Sequence, residues 1–186
     1  MSEVGVVLMA YGTPRDRSEI ASYYTDIRRG HPPSDQQLAD LTRRYDAIGG
    51  TSPLTAITES QGRALSEQLE ELAPGRYEVV LGFKHTAPRI EDAVADAAAT
   101  AATKRLVGLV LAPHFSSASV GEYHRRAADA ADALGAGYAA IDSWATESAL
   151  VEFLATDLER RLAAMSGRTR VLFTAHSLPE RIVQGG

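Results

Sequence analysis

Five short runs of β-branched and aliphatic residues alternate with longer stretches of helical period, and this alternation limits the fold more than any other feature of the chain. The runs are Val4 to Met9, Tyr77 to Phe83, Leu106 to Leu111, Tyr138 to Ile141 and Thr169 to Phe173. Between them lie four segments with the 3.6-residue period, 57–72, 89–103, 119–134 and 147–164. The first places Ile57, Leu65, Leu69 and Leu72 near one face and stops at "APG". Strands that are apolar on both faces and separated by helices imply βαβ crossovers. The expected architecture is therefore α/β: a doubly wound, three-layer parallel sheet.

A chain of 186 residues can bury one substantial core but is too short for two full domains of this kind. The formal net charge of −5 argues against a nucleic-acid partner and confines any basic patch to local stretches such as "IRRG" and "LTRRY". There is no cysteine, so the chain itself supplies no disulfide, thiolate ligand or cysteine nucleophile; this agrees with a reducing, cytoplasmic setting. "MSEVGVVLMAYG" lacks a basic leader and reads as the first strand. No apolar run approaches the length of a membrane span.

In doubly wound sheets ligands sit outside the carboxyl ends of the strands. The loops expected there are "AYGTP", "KHTAP", "APHFSSASVGEY", "DSW" and "AHSLPE". Three of the five contain a histidine and a fourth contains Tyr11. Residues 12–56 exceed an ordinary βα connection and are rich in tyrosine, arginine and glycine, which suits a binding wall or lid at that edge. Neither a GxGxxG nor a Walker pattern is present, nor a GxSxG elbow, and Ser177 after His176 is not a hydrolase arrangement.

Taken singly, each candidate has an ordinary structural explanation. His85, His114 and His176 could each orient a turn through a backbone carbonyl, and Tyr11 could be a core aromatic. Arg28, Arg29, Arg43 and Arg44 could be solvated, and "IGGTSPL" could be a turn with a serine cap. Taken together they share an edge and a chemistry. Neutral imidazole and phenol are metal ligands, arginine pairs with carboxylates, and tyrosines with small residues line a flat apolar slot. That combination describes a porphyrin site.

The segments "VLMAYGTP", "YYTDIRRG", "RRYDAIGGTSPL", "GFKHTAP", "LAPHFSSASVGEY" and "TAHSLPE" resemble, in order and spacing, the amino-terminal half of the ferrochelatases. The resemblance is close to the bacterial coproporphyrin type and covers essentially the whole chain. The resemblance implies insertion of ferrous iron into coproporphyrin III, with Fe²⁺ as substrate and a transient partner for haem transfer. It makes His176 the catalytic, metal-site histidine, which receives iron or accepts pyrrole protons. It makes Tyr11 the phenol that approaches the iron of the bound product. It assigns Arg28, Arg44, Tyr45, Ser52 and Tyr123 to the macrocycle or its propionates. "AYGTP" points to the coproporphyrin type; a protoporphyrin IX ferrochelatase and a non-catalytic porphyrin- or haem-binding half-domain remain open. A cobalt or nickel chelatase would carry a "GHGS"-like motif after the first strand, and "AYGTP" argues against it.

By the same resemblance, residues 1–174 form a chelatase-like α/β domain with a porphyrin-binding insertion at 12–56. Residues 175–186 then begin the crossover to a second domain that is absent from this sequence. In the family that second half carries a glutamate opposite the histidine and, in some actinobacterial members, cysteines for an iron–sulfur cluster. The expectation is that these 186 residues alone turn over poorly.

Overall fold

The most deeply buried run, Val4–Ala10 (β1), forms a middle strand of the sheet, buried at every position. The computed structural model describes residues 2–174. After β1 come a short 3-10 helix at Arg17–Glu19, then Ile20–Ile27 (α1), Asp35–Ala47 (α2) and Leu54–Leu72 (α3). Tyr77–Phe83 (β2) and Ile90–Thr100 (α4) follow, then Arg105–Val110 (β3), Val120–Ala133 (α5), Gly137–Ile141 (β4) and Ser148–Ala163 (α6). The sheet is parallel throughout, in the order β2-β1-β3-β4. Four of the expected strands form, each within one residue of its expected bounds.

The register decides what each face buries. Val7 pairs with Val80 and Gly108, and Leu106 pairs with Tyr138, so Val7, Met9, Leu106, Val110 and Tyr138 share a face. The helices α4 and α5 cover it with Ile90, Ala93, Val94, Ala97, Val120, Ala127 and Ala131. Complete burial of a residue such as Met9 or Ile90 contributes about 1.5–3 kcal/mol. The alanine-rich α4 can approach closely because β2 offers Gly82: a Cβ there would lie 2.9 Å from Ala93 Cβ and 3.0 Å from Ile90 Cα. On the opposite face α3 packs over β2, with Gly62 set against the Leu81 side chain.

Packing changes the reading of α3. Ile57 and Leu72 are 50% and 80% exposed, whereas Thr58 and Gly62 are buried and Leu65 and Leu69 half-buried. A close helix-to-sheet approach favours the stripe carrying the small residue, which is offset from the stripe of largest side chains.

The expected fifth strand, Thr169 to Phe173, does not form: residues 169–174 carry no ladder, and Leu172 and Phe173 are 79% and 88% exposed. β propensity reflects packing on a pleated surface more than an intrinsic backbone preference, and no strand among the described residues pairs with this run. His176 and the rest of 175–186 lie outside the described residues.

Residues 12–56 are built, not loose. Asp16 caps the 3-10 helix by accepting from Ser18 N at 2.7 Å. Ser34 and Gln37 form a reciprocal capping box at the start of α2. The two helices close over a small core of Ile20, Tyr23 and Tyr45, flanked by Ile27, Leu38 and Leu41.

Candidate functional site

Two strand ends bring Tyr11 and His85 together at the carboxyl edge. The pairing of β1 and β2 continues past the strands, with Lys84 N donating to Ala10 O at 2.9 Å and His85 N donating to Tyr11 O at 3.1 Å. Gly12 turns the chain away with φ +80, and a Cβ there would fall 2.3 Å from Thr86 Oγ1. The rings of Tyr11 and His85 then stand 4.5 Å apart between centroids, tilted by 60°. Tyr23 from α1 meets His85 edge-on at 6.4 Å.

A hydrogen-bonded chain fixes the imidazole. His85 Nδ1 lies 2.6 Å from Asp26 Oδ2. An ionised carboxylate only accepts, so Nδ1 carries the proton and donates it. The other Asp26 oxygen takes Arg89 Nη2 at 3.0 Å, and Arg89 Nη1 donates to the Lys84 carbonyl at 3.0 Å. Burial lowers the His85 pKa, outweighing the upward pull of Asp26, with Lys84 and Arg126 adding to the drop. Burial pushes Asp26 upward, but its bonds to Arg89 and His85 prevail and hold it below the usual range. At neutral pH the pair is thus a neutral imidazole on a carboxylate.

Across the cleft, Lys84 Nζ meets Glu122 Oε2 at 2.7 Å and lies 5.1 Å from the centre of the Tyr123 ring. Arg126 grips Glu91 through two contacts of 2.7 Å and donates to the Lys84 carbonyl at 2.9 Å. Tyr11, Asp26, Arg29, Lys84, His85 and Glu122 are among the residues around an open cleft of about 360 Å³. Three of the nearby cations, Lys84, Arg89 and Arg126, are thus already matched by Glu122, Asp26 and Glu91. Burial, with Tyr45, Asp26 and Glu122 nearby, raises the Tyr11 pKa, so its phenol is protonated at neutral pH.

The residues singled out in the sequence are distributed unevenly around this cleft. Tyr11 stands in its wall, 42% exposed, and Tyr123 is buried beneath Lys84. Tyr45 is buried beside Tyr23 in the insertion core. Arg28 ends α1, with its guanidinium 5.7 Å from the Tyr24 ring and Nε donating to His31 O. Arg44 is exposed on the last turn of α2, and Ser52 Oγ accepts from Leu54 N at 3.2 Å where α3 begins. His114 is exposed in the loop after β3. Arg28, Arg44 and Ser52 are not among the residues that line the cleft.

Sequence reasoning passed over Asp26, Lys84, Arg89, Glu91, Glu122 and Arg126. Asp26 stood inside "YYTDIRRG" and Lys84 beside His85, but nothing local marks a charge that finds its partner on another element. His124, also passed over, is internal: Nε2 faces Ile141 O at 3.1 Å as donor, which leaves Nδ1 to accept from the Tyr138 hydroxyl at 2.7 Å. Among the described residues no cluster of three or more His, Cys, Asp or Glu could hold a metal ion, and no helix is long and apolar enough to cross a membrane.

Comparison with known proteins bears on the same segments. The family model described as ferrochelatase matches residues 3–186. A coproporphyrin III ferrochelatase of Bacillus pumilus is 43% identical over 190 residues, covering 99% of this chain and 61% of its own length. Those of Geobacillus kaustophilus and Listeria monocytogenes are 43% and 42% identical and cover 98% of this chain each. The chain spans about 60% of the length of these relatives.

Proposed function

Because the chain belongs to the ferrochelatase family, we propose that it forms the porphyrin-facing part of an enzyme that inserts ferrous iron into coproporphyrin III. The observation that carries this reading is the half-exposed Tyr11 at the carboxyl end of β1, held against His85 in the wall of an open cleft. A phenol so placed can reach the metal of a macrocycle lying across the strand ends. The names of the relatives support coproporphyrin III as the substrate.

In this reading the macrocycle is bent so that pyrrole nitrogen lone pairs turn toward the entering Fe²⁺, and the strain is drawn from binding along the rest of the ring. Tyr11 serves one face and His176 the other, where His176 receives iron or takes pyrrole protons. Arg28 and Arg44 pair with propionates, and Tyr45, Ser52 and Tyr123 contact the ring or its carboxylates. The four propionates of coproporphyrin III give the arginines of the insertion more to hold than the two of protoporphyrin IX. With no cysteine, this chain supplies no thiolates for an iron–sulfur cluster. The proposed setting is the cytoplasm, with a transient partner that takes the iron porphyrin onward.

The test is spectral titration of the chain with coproporphyrin III and protoporphyrin IX. Tighter binding of the tetracarboxylate is expected. Equal or reversed preference overturns the substrate assignment.

A further inference from the structure

We infer that Asp26 and Arg89 are positioning residues for Tyr11, acting through His85 to fix the direction in which the phenol faces the macrocycle. The inference rests on the reading of Tyr11 as the group that meets iron, but it concerns side chains with no part in that reading.

The geometry leads to it step by step. Tyr11 is half exposed, and a tyrosine in such a place ordinarily samples more than one χ1 rotamer. Here one side of its ring is occupied by His85 at 4.5 Å. That support is useful only if the imidazole is itself immobile, and three independent restraints make it so. Nδ1 is bonded to Asp26 at 2.6 Å, Tyr23 stands against the ring edge, and the His85 backbone is pinned to Tyr11 O. Asp26 is held in turn by Arg89, whose second nitrogen is tied back to the Lys84 carbonyl. The chain of contacts Arg89–Asp26–His85–Tyr11 therefore links α1 and the loop after β2 to the end of β1 and closes on its own backbone.

A closed ladder of this kind is more than packing requires. An apolar residue at position 85 could fill the same space against Tyr11 and Tyr23 without burying a carboxylate partner. The ionic ladder instead specifies one ring orientation, because Asp26 and the imidazole must share a plane for the hydrogen bond to be straight. Its role is the one that outer partners play for metal ligands, where losing the partner costs about 10–100-fold in affinity or activity. The structure of a metal-free ring does not depend on the phenol direction, whereas a bond from the phenol oxygen to iron does.

That difference supplies the test. The chain, its Asp26→Ala and Asp26→Asn variants and a Tyr11→Phe control are each titrated with ferric coproporphyrin III and with metal-free coproporphyrin III. The ferric spectra at saturation are compared, with thermal melts confirming that each variant is folded. The expected result is that Asp26→Ala loses about tenfold or more in the ratio of ferric to metal-free affinity. Its ferric spectrum should move toward that of Tyr11→Phe. Asp26→Asn, which keeps an acceptor for Nδ1, should fall between. If Asp26→Ala and Asp26→Asn keep the wild-type ratio and spectrum while Tyr11→Phe changes both, the positioning role is wrong and the site reading stands. If Tyr11→Phe changes neither, the reading of Tyr11 falls and this inference falls with it.

Discussion

Tyr11 and His85 stand with ring centroids 4.5 Å apart because β1 and β2 are parallel neighbours in a register that continues one step beyond both strands. Two side chains remote in sequence become one wall by sharing a sheet edge. The contact is rigid because backbone hydrogen bonds on the inner side and Asp26 on the outer side hold the imidazole.

A double-mutant cycle measures that second restraint. His85→Phe and Asp26→Ala, singly and together, should give a coupling of about 1.5–3 kcal/mol in urea unfolding, the range for hydrogen bonds to charged groups. Additive singles would mean that the 2.6 Å contact contributes nothing to stability.

Stability should fall on acidification in two stages. The His85 pKa is lower folded than unfolded, so the unfolded chain binds more protons once pH drops below about 6.5, and folding weakens from there downward. The pKa values of Asp26, Glu91 and Glu122 are also lower folded, so their contribution is lost below about pH 4. Denaturation followed from pH 7.5 to 3.5 should show both stages, and His85→Phe should remove the upper one while shrinking the share of the lower one that comes from Asp26. An unchanged upper stage in that variant would assign it to another group.

Gly108 should not tolerate a side chain. A Cβ there would lie 1.8 Å from the Tyr138 hydroxyl oxygen, which is bonded to His124 Nδ1. Gly108→Ala should destabilise by about 1–3 kcal/mol from overpacking, plus about 1 kcal/mol if the Tyr138 bond breaks. Chemical denaturation reads this directly, and a shift below ~0.5 kcal/mol would show that β4 yields freely.

Iron insertion by these 186 residues should be slow. Anaerobic absorbance assays with ferrous iron and coproporphyrin III, run beside the Bacillus pumilus relative, of whose length these 186 residues span 61%, should differ by roughly 10²–10⁴-fold, the size of one acid–base group supplied from the rest of that relative. Comparable turnover would place the whole of catalysis within this chain. His176→Ala should lower what turnover there is while leaving porphyrin affinity nearly as it was.

Much of this was legible in the residues themselves. The alternation of apolar runs with helical periods predicted four of the strands closely, because a buried parallel strand must be apolar on both faces and a crossover needs a helix's length. The carboxyl-edge rule points to the loops of Tyr11 and His85 from the sequence alone, since it depends only on chain direction. Local propensity erred where a neighbour decides the outcome. Thr169 to Phe173 has strand composition but no ladder, and α3 buries Thr58 and Gly62 in place of its larger side chains.

The amino-acid order by itself determined the α/β layering, the edge at which ligands would gather and the residues through which the chain resembles its family. Those properties follow from periodicity and from motifs read along one dimension. Tertiary structure alone decided which polar groups meet: Asp26 with His85 and Arg89, Lys84 with Glu122, Arg126 with Glu91. Each pair joins different segments of the chain, and Coulomb attraction and hydrogen bonding act over a few ångströms in space without regard to separation in sequence. No pattern along the chain could have declared them before the sheet brought its strand ends together.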